Sequence, residues 1–136
     1  MKYLLDTNIV SNPASVRPDD RIVRRLASKS AVCAIPAPVW HELLFGCNRL
    51  PRGERRARLE DYIEDVVRPI YPILPYDAVA AAWHAAERAR LETSGCPTPF
   101  VDGQIAAVAA TTGLILVTRN KKDFSRFRAL KIDDWS

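Results

Sequence analysis

The sequence predicts an α/β fold with a central, mainly parallel sheet covered by helices. Three observations predict it. Short runs of uniformly apolar residues, at 3–5, 31–35, 70–74 and 114–117, alternate with longer segments of helical periodicity. None of those runs alternates with polar residues, so both faces of each strand must be covered. The chain has 136 residues, 48% of them hydrophobic, enough apolar surface for a single domain over residues 1–136.

The elements follow in order. Tyr3, Leu4 and Leu5 form a strand that stops at Asp6. Residues 19–28 place Ile22, Val23 and Leu26 at helical spacing, with Asp19 and Asp20 where a helix start favours negative charge. Residues 31–35 are a second strand. Pro36 and Pro38 suit the first turn of a helix reaching Leu50. Residues 53–67 form a mixed-charge helix with Leu59, Ile63 and Val66 on one face, ended by Pro69. A strand at 70–74 and an alanine-rich helix at 77–91 come next. Thr98 and Pro99 supply the cap and first turn of a helix through Thr112, and Gly113 stops it. Leu114 to Val117 is a buried strand, and residues 130–132 form a last one.

Composition excludes several classes. Cys33, Cys47 and Cys96 are odd in number and widely spaced, and the only histidines are His41 and His84. A zinc site or a disulfide framework is therefore not expected. The apolar run at the N-terminus is broken by Asp6, too early for a secretion signal, and no stretch reaches membrane-spanning length. The expectation is a soluble cytoplasmic protein. Formal net charge is +4, from 20 Lys and Arg against 16 Asp and Glu. The basic residues cluster. Arg49, Arg52, Arg55, Arg56 and Arg58 form either a solvated surface or a polyanion contact. Arg119, Lys121 and Lys122 lie beside a candidate catalytic acid and are expected to meet phosphates.

In a parallel sheet, ligands bind beyond the carboxyl ends of the strands. Asp6 falls there, as either a turn cap or a metal ligand, because a carboxylate at the end of a buried strand needs a partner. Asp102 lies in the first helical turn of FVDGQIAAVAA, in line with Ile105, Ala106 and Ala109, and so points to the edge of the core. Glu42 shares a helix face with Val39, Leu43 and Gly46. Asp123 or Asn120 could reach the same place from the segment after LILV, and Thr118 could hydrogen-bond a carboxylate or a phosphate. These are oxygen donors with no nitrogen or sulfur set beside them. Mg²⁺ or Mn²⁺ prefers such a set. Metal-assisted phosphodiester hydrolysis is the matching chemistry.

Taken together, LLDTNIVS, PAPVWHELLFG, VDGQIAAVAATTGLILVTRNKKDF and the closing LKIDDW resemble the PIN-domain ribonucleases, in particular the VapC and FitB toxins of toxin–antitoxin pairs. The resemblance covers nearly the whole chain. It implies a three-layer α/β/α fold, Mg²⁺ dependence and endoribonuclease activity. Asp6, Glu42 and Asp102 match the family's first three acids. Asp123 matches the fourth, with Asn120 its competitor. Thr7, Asn8 and Thr118 match polar residues that support the cluster. The resemblance also implies a homodimer and a cognate VapB-like antitoxin, bound as a heterotetramer or larger assembly. Trp40, Leu43, Leu44 and Phe45 are then either antitoxin contacts or core.

Two other readings compete. A haloacid-dehalogenase-like phosphatase would need an acid two residues after Asp6, where this chain has Asn8. A degenerate RNA- or antitoxin-binding module would have lost an acid, whereas all four positions carry carboxylates. Asp133 and Asp134 are expected to decorate the last strand, and His41 to be a bystander beside Glu42.

Overall fold

The computed structural model describes residues 1–136. Five strands form one all-parallel sheet: β1 (Tyr3–Leu5), β2 (Cys33–Pro36), β3 (Ile73–Leu74), β4 (Ile115–Val117) and β5 (Ile132–Asp133), in the order β3-β2-β1-β4-β5. The helices are α1 (Thr7–Val10), α2 (Asp20–Lys29), α3 (Ala37–Asn48), α4 (Glu54–Tyr62), α5 (Arg68–Ile70), α6 (Ala78–Thr93), α7 (Phe100–Thr112) and α8 (Lys121–Phe124). From β1 the chain steps to β2 and β3, then returns across the sheet to β4 and β5. Right-handed crossovers running in opposite directions place their helices on opposite faces. This is the expected α/β/α sandwich. No helix is long and apolar enough to cross a membrane.

The central strands are buried as expected, whereas the edge strand β3 is not: Ile73 is 38% exposed, because no strand covers that side of the sheet. Leu4, Leu5, Ile35, Leu116 and Val117 have no exposed surface. Trp135 is equally enclosed, with its ring edge-on to Tyr3 at 5.0 Å between centroids. That contact explains the aromatic residue of the closing LKIDDW motif: it seals the end of the core next to β1.

Several boundaries differ from expectation. The second strand begins at Cys33, because residues 30–32 form a 3₁₀ turn. The helix expected to end at Pro69 continues through α5 to Ile70, and β3 shortens to two residues. A π-helical segment, Ile63–Val67, precedes the proline. Its wider turn changes the phase of the buried face, so Ile63 and Val67 are buried, rather than Val66. Pro69 follows the π segment as the second residue of α5, at the start of a new turn, where a missing N–H costs little. Thr98 does not cap α7: Pro99 holds the cap position without a side-chain bond. Gly113 ends α7 as expected, in the left-handed conformation at φ 71°. The last strand is shifted to Ile132–Asp133. Two short helices, α1 and α8, were not anticipated, and both flank the candidate site.

Candidate active site

The sheet reverses its strand order between β1 and β4, and the carboxyl ends of these two strands meet there. The Asp6 N–H donates to the Val117 carbonyl at 2.9 Å, extending the ladder by one residue. Asp6 then leaves the strand with extended backbone and caps α1, its Oδ1 accepting the Thr7 N–H at 2.8 Å. Its other oxygen, Oδ2, accepts the Thr118 hydroxyl at 2.7 Å across the top of the sheet. The cap therefore uses only part of the carboxylate, and both oxygens keep a free lone pair. Asp6 is 7% exposed and Thr118 is fully buried. Burial raises the Asp6 carboxyl above its ordinary range, although the bonds from Thr118 and Thr7 pull the other way.

The loop after β4 is tied to the same point. The Asn120 N–H donates to Thr118 Oγ1 at 3.0 Å, and the Arg119 N–H donates to Asn8 Oδ1 at 3.3 Å. Asn8 thus ties α1 to this loop, and Asn120 supports Thr118 through its backbone. Asn120 occupies the cap position of α8 without a side-chain bond.

Asp102 faces this assembly from the first turn of α7. Its carboxyl is pushed up to about 6, first by burial and then by the negative charges of Asp6 and Asp123. The charges of Asp6 and Asp123 therefore reach Asp102 and oppose its ionisation. Glu42 stands apart. It lies on α3 and lines a groove shared with Thr7, and it is not among the charges that shift Asp102. Asp123 is exposed on α8.

No three Asp, Glu, His or Cys side chains stand close enough to form a ready-made metal cage. The donor set still fits a hard cation. It is all oxygen, and burial together with the charges of Asp6 and Asp123 opposes ionisation of Asp102, which a cation would relieve. Mg²⁺ keeps several of its waters and needs only one or two carboxylates directly.

Some site neighbours were missed by sequence reasoning. Asp134 was expected to be decoration, yet Arg119 and Lys121 lie near its carboxylate. Burial raises that group, but the Ser136 hydroxyl and N–H, with Arg119 and Lys121, hold it below its usual range. Part of the basic rim is therefore offset locally. Glu87, buried on α6, was also missed. It accepts Nε of Arg90 at 2.7 Å and the N–H of Arg128 at 2.7 Å, and Arg90 donates to the Arg126 carbonyl at 2.9 Å. This clamp fixes the chain just after α8. Its only sequence signal was a Glu-Arg pair three residues apart on a helix. Leu43 is core, Trp40 and Leu44 are partly buried, and Phe45 is 51% exposed. His41 is exposed, stacks on Phe45 and lines a hollow with Val101 and Gln104.

The PIN domain model matches residues 3–130. The chain belongs to the PIN-domain family. This PIN domain is 33% identical to the tRNA(fMet)-specific endonuclease VapC of Shigella flexneri, covering 100% of this chain and 99% of that one. It is 31% identical to Toxin FitB of Neisseria gonorrhoeae, with 97% of each chain covered. Among solved structures, the PIN chain is similar to FitAB bound to an IR36 DNA fragment, with a TM-score of 0.89 at 29% identity. That match covers 98% of this chain and 96% of the other. DNA-bound VapBC from Salmonella typhimurium gives a TM-score of 0.84 at 27% identity, covering 100% and 99%. The family and the fold that the sequence motifs implied are the ones found.

Proposed function

We propose that this PIN domain is a Mg²⁺-dependent endoribonuclease, the toxin of a VapBC-like pair. The observation that carries the reading is the placing of Asp6, held by Thr118 at the strand-order reversal, near enough to Asp102 for its charge, after burial and together with that of Asp123, to oppose ionisation there. A phosphodiester brings more negative charge to such a place, so the chemistry requires a cation. Asp6 and Asp102 would hold Mg²⁺ or Mn²⁺, with Glu42 and Asp123 completing the acidic set. When bound, the metal would activate water, neutralise the phosphoryl oxygens and assist the departing oxygen.

The protein's own groups orient and position. Thr118 fixes one oxygen of Asp6 and leaves it no rotational freedom. Asn8 and Asn120 hold the β4 loop against α1. Arg119, Lys121 and Lys122 would contact phosphates on the rim, where their charges balance the acidic centre. The names of the Shigella and Salmonella relatives specify a tRNA, so a structured RNA is the first substrate to try. The likeness to FitAB and VapBC points to a cognate VapB-like antitoxin for this chain. The same reading makes the toxin a homodimer that assembles with antitoxin into a heterotetramer or larger complex. The cytoplasm is its place of action, in keeping with the three unpaired cysteines.

The test is cleavage of tRNA by purified protein with Mg²⁺ and with EDTA, alongside Asp6→Asn and Asp102→Asn. Cleavage should need the metal and vanish in both variants while their circular dichroism stays native. Metal-independent cleavage, or full activity in both folded variants, would overturn the assignment.

A further inference from the structure

Residues 49–58 carry five arginines against one acid, Glu54, a local surplus equal to the formal +4 of the entire chain. Arg56 is committed to the fold: it pairs with Glu60 at 2.9 Å and donates to the carbonyls of Asn48 and Leu50. No acidic side chain pairs with Arg49, Arg52, Arg55 or Arg58. Two of these, Arg49 and Arg55, line a cavity of about 320 Å³ together with Thr7 and Glu42. A second hollow adjoins it, sharing Ala14 and Arg55 and adding Arg58. The two hollows form one trough, lined by Thr7, the sequence neighbour of Asp6, and by three unpaired guanidinium groups.

We infer that this trough is the track for the RNA strand on one side of the scissile bond, with Arg49, Arg55 and Arg58 on its phosphates. The inference rests on the reading above and adds where the substrate runs. Arginine forks match phosphate geometry, and cations lacking a protein partner keep their full charge for a polyanion. The trough also holds an aromatic surface. Phe45 is 51% exposed, and the Arg49 guanidinium lies 5.5 Å from its ring centre. Bases of a single strand stack on such rings, whatever their sequence. Gly46 leaves this lining open, since an added Cβ there would meet nothing within 4 Å.

The experiment is fluorescence anisotropy of the full chain with a short labelled single-stranded RNA, in EDTA, over a series of KCl concentrations. Arg55→Gln/Arg58→Gln is compared with Arg24→Gln/Arg25→Gln, which removes two exposed charges from α2. The trough variant should bind more weakly, and its log–log salt slope should be flatter by about 1.4 for two lost phosphate contacts. The α2 variant should match wild type. Equal slopes and affinities in both variants would overturn the track. So would a trough variant that binds RNA normally but no longer holds the antitoxin, since the arginines would then serve a protein partner. Tests of cleavage separate the two ideas: wild type that cleaves RNA with unchanged slopes removes the track alone. Wild type that binds through these arginines but never cleaves removes the nuclease reading alone.

Discussion

The imidazole of His84 occupies the space that a side chain on Gly103 would need. An added Cβ would lie against Nε2 and 2.6 Å from Cδ2. His84 is buried on α6, shares a 2.8 Å hydrogen bond with Tyr76 through Nδ1, and packs 4.9 Å from the Phe100 ring centre. Burial, with Arg88 nearby, lowers its pKa and so favours the neutral ring. The glycine after Asp102 is thus a packing requirement: it lets α7 close onto α6 and sets the depth of the Asp102 turn.

Gly103→Ala should therefore destabilise the protein. Helix propensity alone would favour alanine by about 0.5–1 kcal/mol. Overpacking against a ring fixed by Tyr76 costs about 1–3 kcal/mol and outweighs that gain. The check is urea denaturation of Gly103→Ala with and without His84→Ala. The alanine at 103 should cost less when the imidazole is gone, a coupling that a double-mutant cycle measures directly.

Asp102→Asn should stabilise the metal-free protein at pH 7. The carboxyl of Asp102 is raised from 3.8 to about 6, so between those values the folded state binds more protons than the unfolded state. Stability accordingly falls as pH rises through that window, and the ionised group opposes folding above it. Solvent screening at this part-exposed position leaves about 1–2 kcal/mol of the effect. Thermal melts in EDTA should show a higher Tm for the variant at pH 7 and convergence with wild type near pH 4. Added Mg²⁺ should raise the Tm of wild type and leave Asp102→Asn nearly unmoved.

Thr118→Val should reduce both stability and cleavage. The valine has a similar shape but gives no hydroxyl to Asp6 Oδ2 and no acceptor to the Asn120 N–H. Losing a buried hydrogen bond to a charged group costs about 1.5–3 kcal/mol. Thr118→Ser restores the hydroxyl and should recover most of the cleavage rate. If valine and serine behave alike in chemical denaturation and in RNA cleavage, the Thr118–Asp6 bond has neither role.

Much of the architecture was legible because burial writes itself locally. Uniform apolar runs marked β1, β2 and β4, and Gly113 marked the end of α7. The phase of residues 63–67 was not legible, since the π turn before Pro69 breaks the period on which the reading depends. The missed helices α1 and α8 are four residues each, too short for periodicity to register. The order and spacing of the motifs singled out the four candidate acids. Their grouping was not legible: Asp102 is coupled to Asp6 and Asp123, while Glu42 lines the arginine trough.

The sequence by itself determined that an acid would stand at the carboxyl end of β1, because three apolar residues followed by Asp6 leave it nowhere else to go. Only the tertiary structure decided what that acid meets. Thr118 lies 112 residues further along, and it reaches Asp6 because β4 pairs beside β1 in register from Tyr3 with Ile115 to Leu5 with Val117. His84 meets Gly103 because α6 packs against α7, and Arg119 comes near Asp134 because β5 pairs beside β4. Local propensity acts over a few residues, whereas a site made at the junction of distant strands depends on how the whole sheet is ordered.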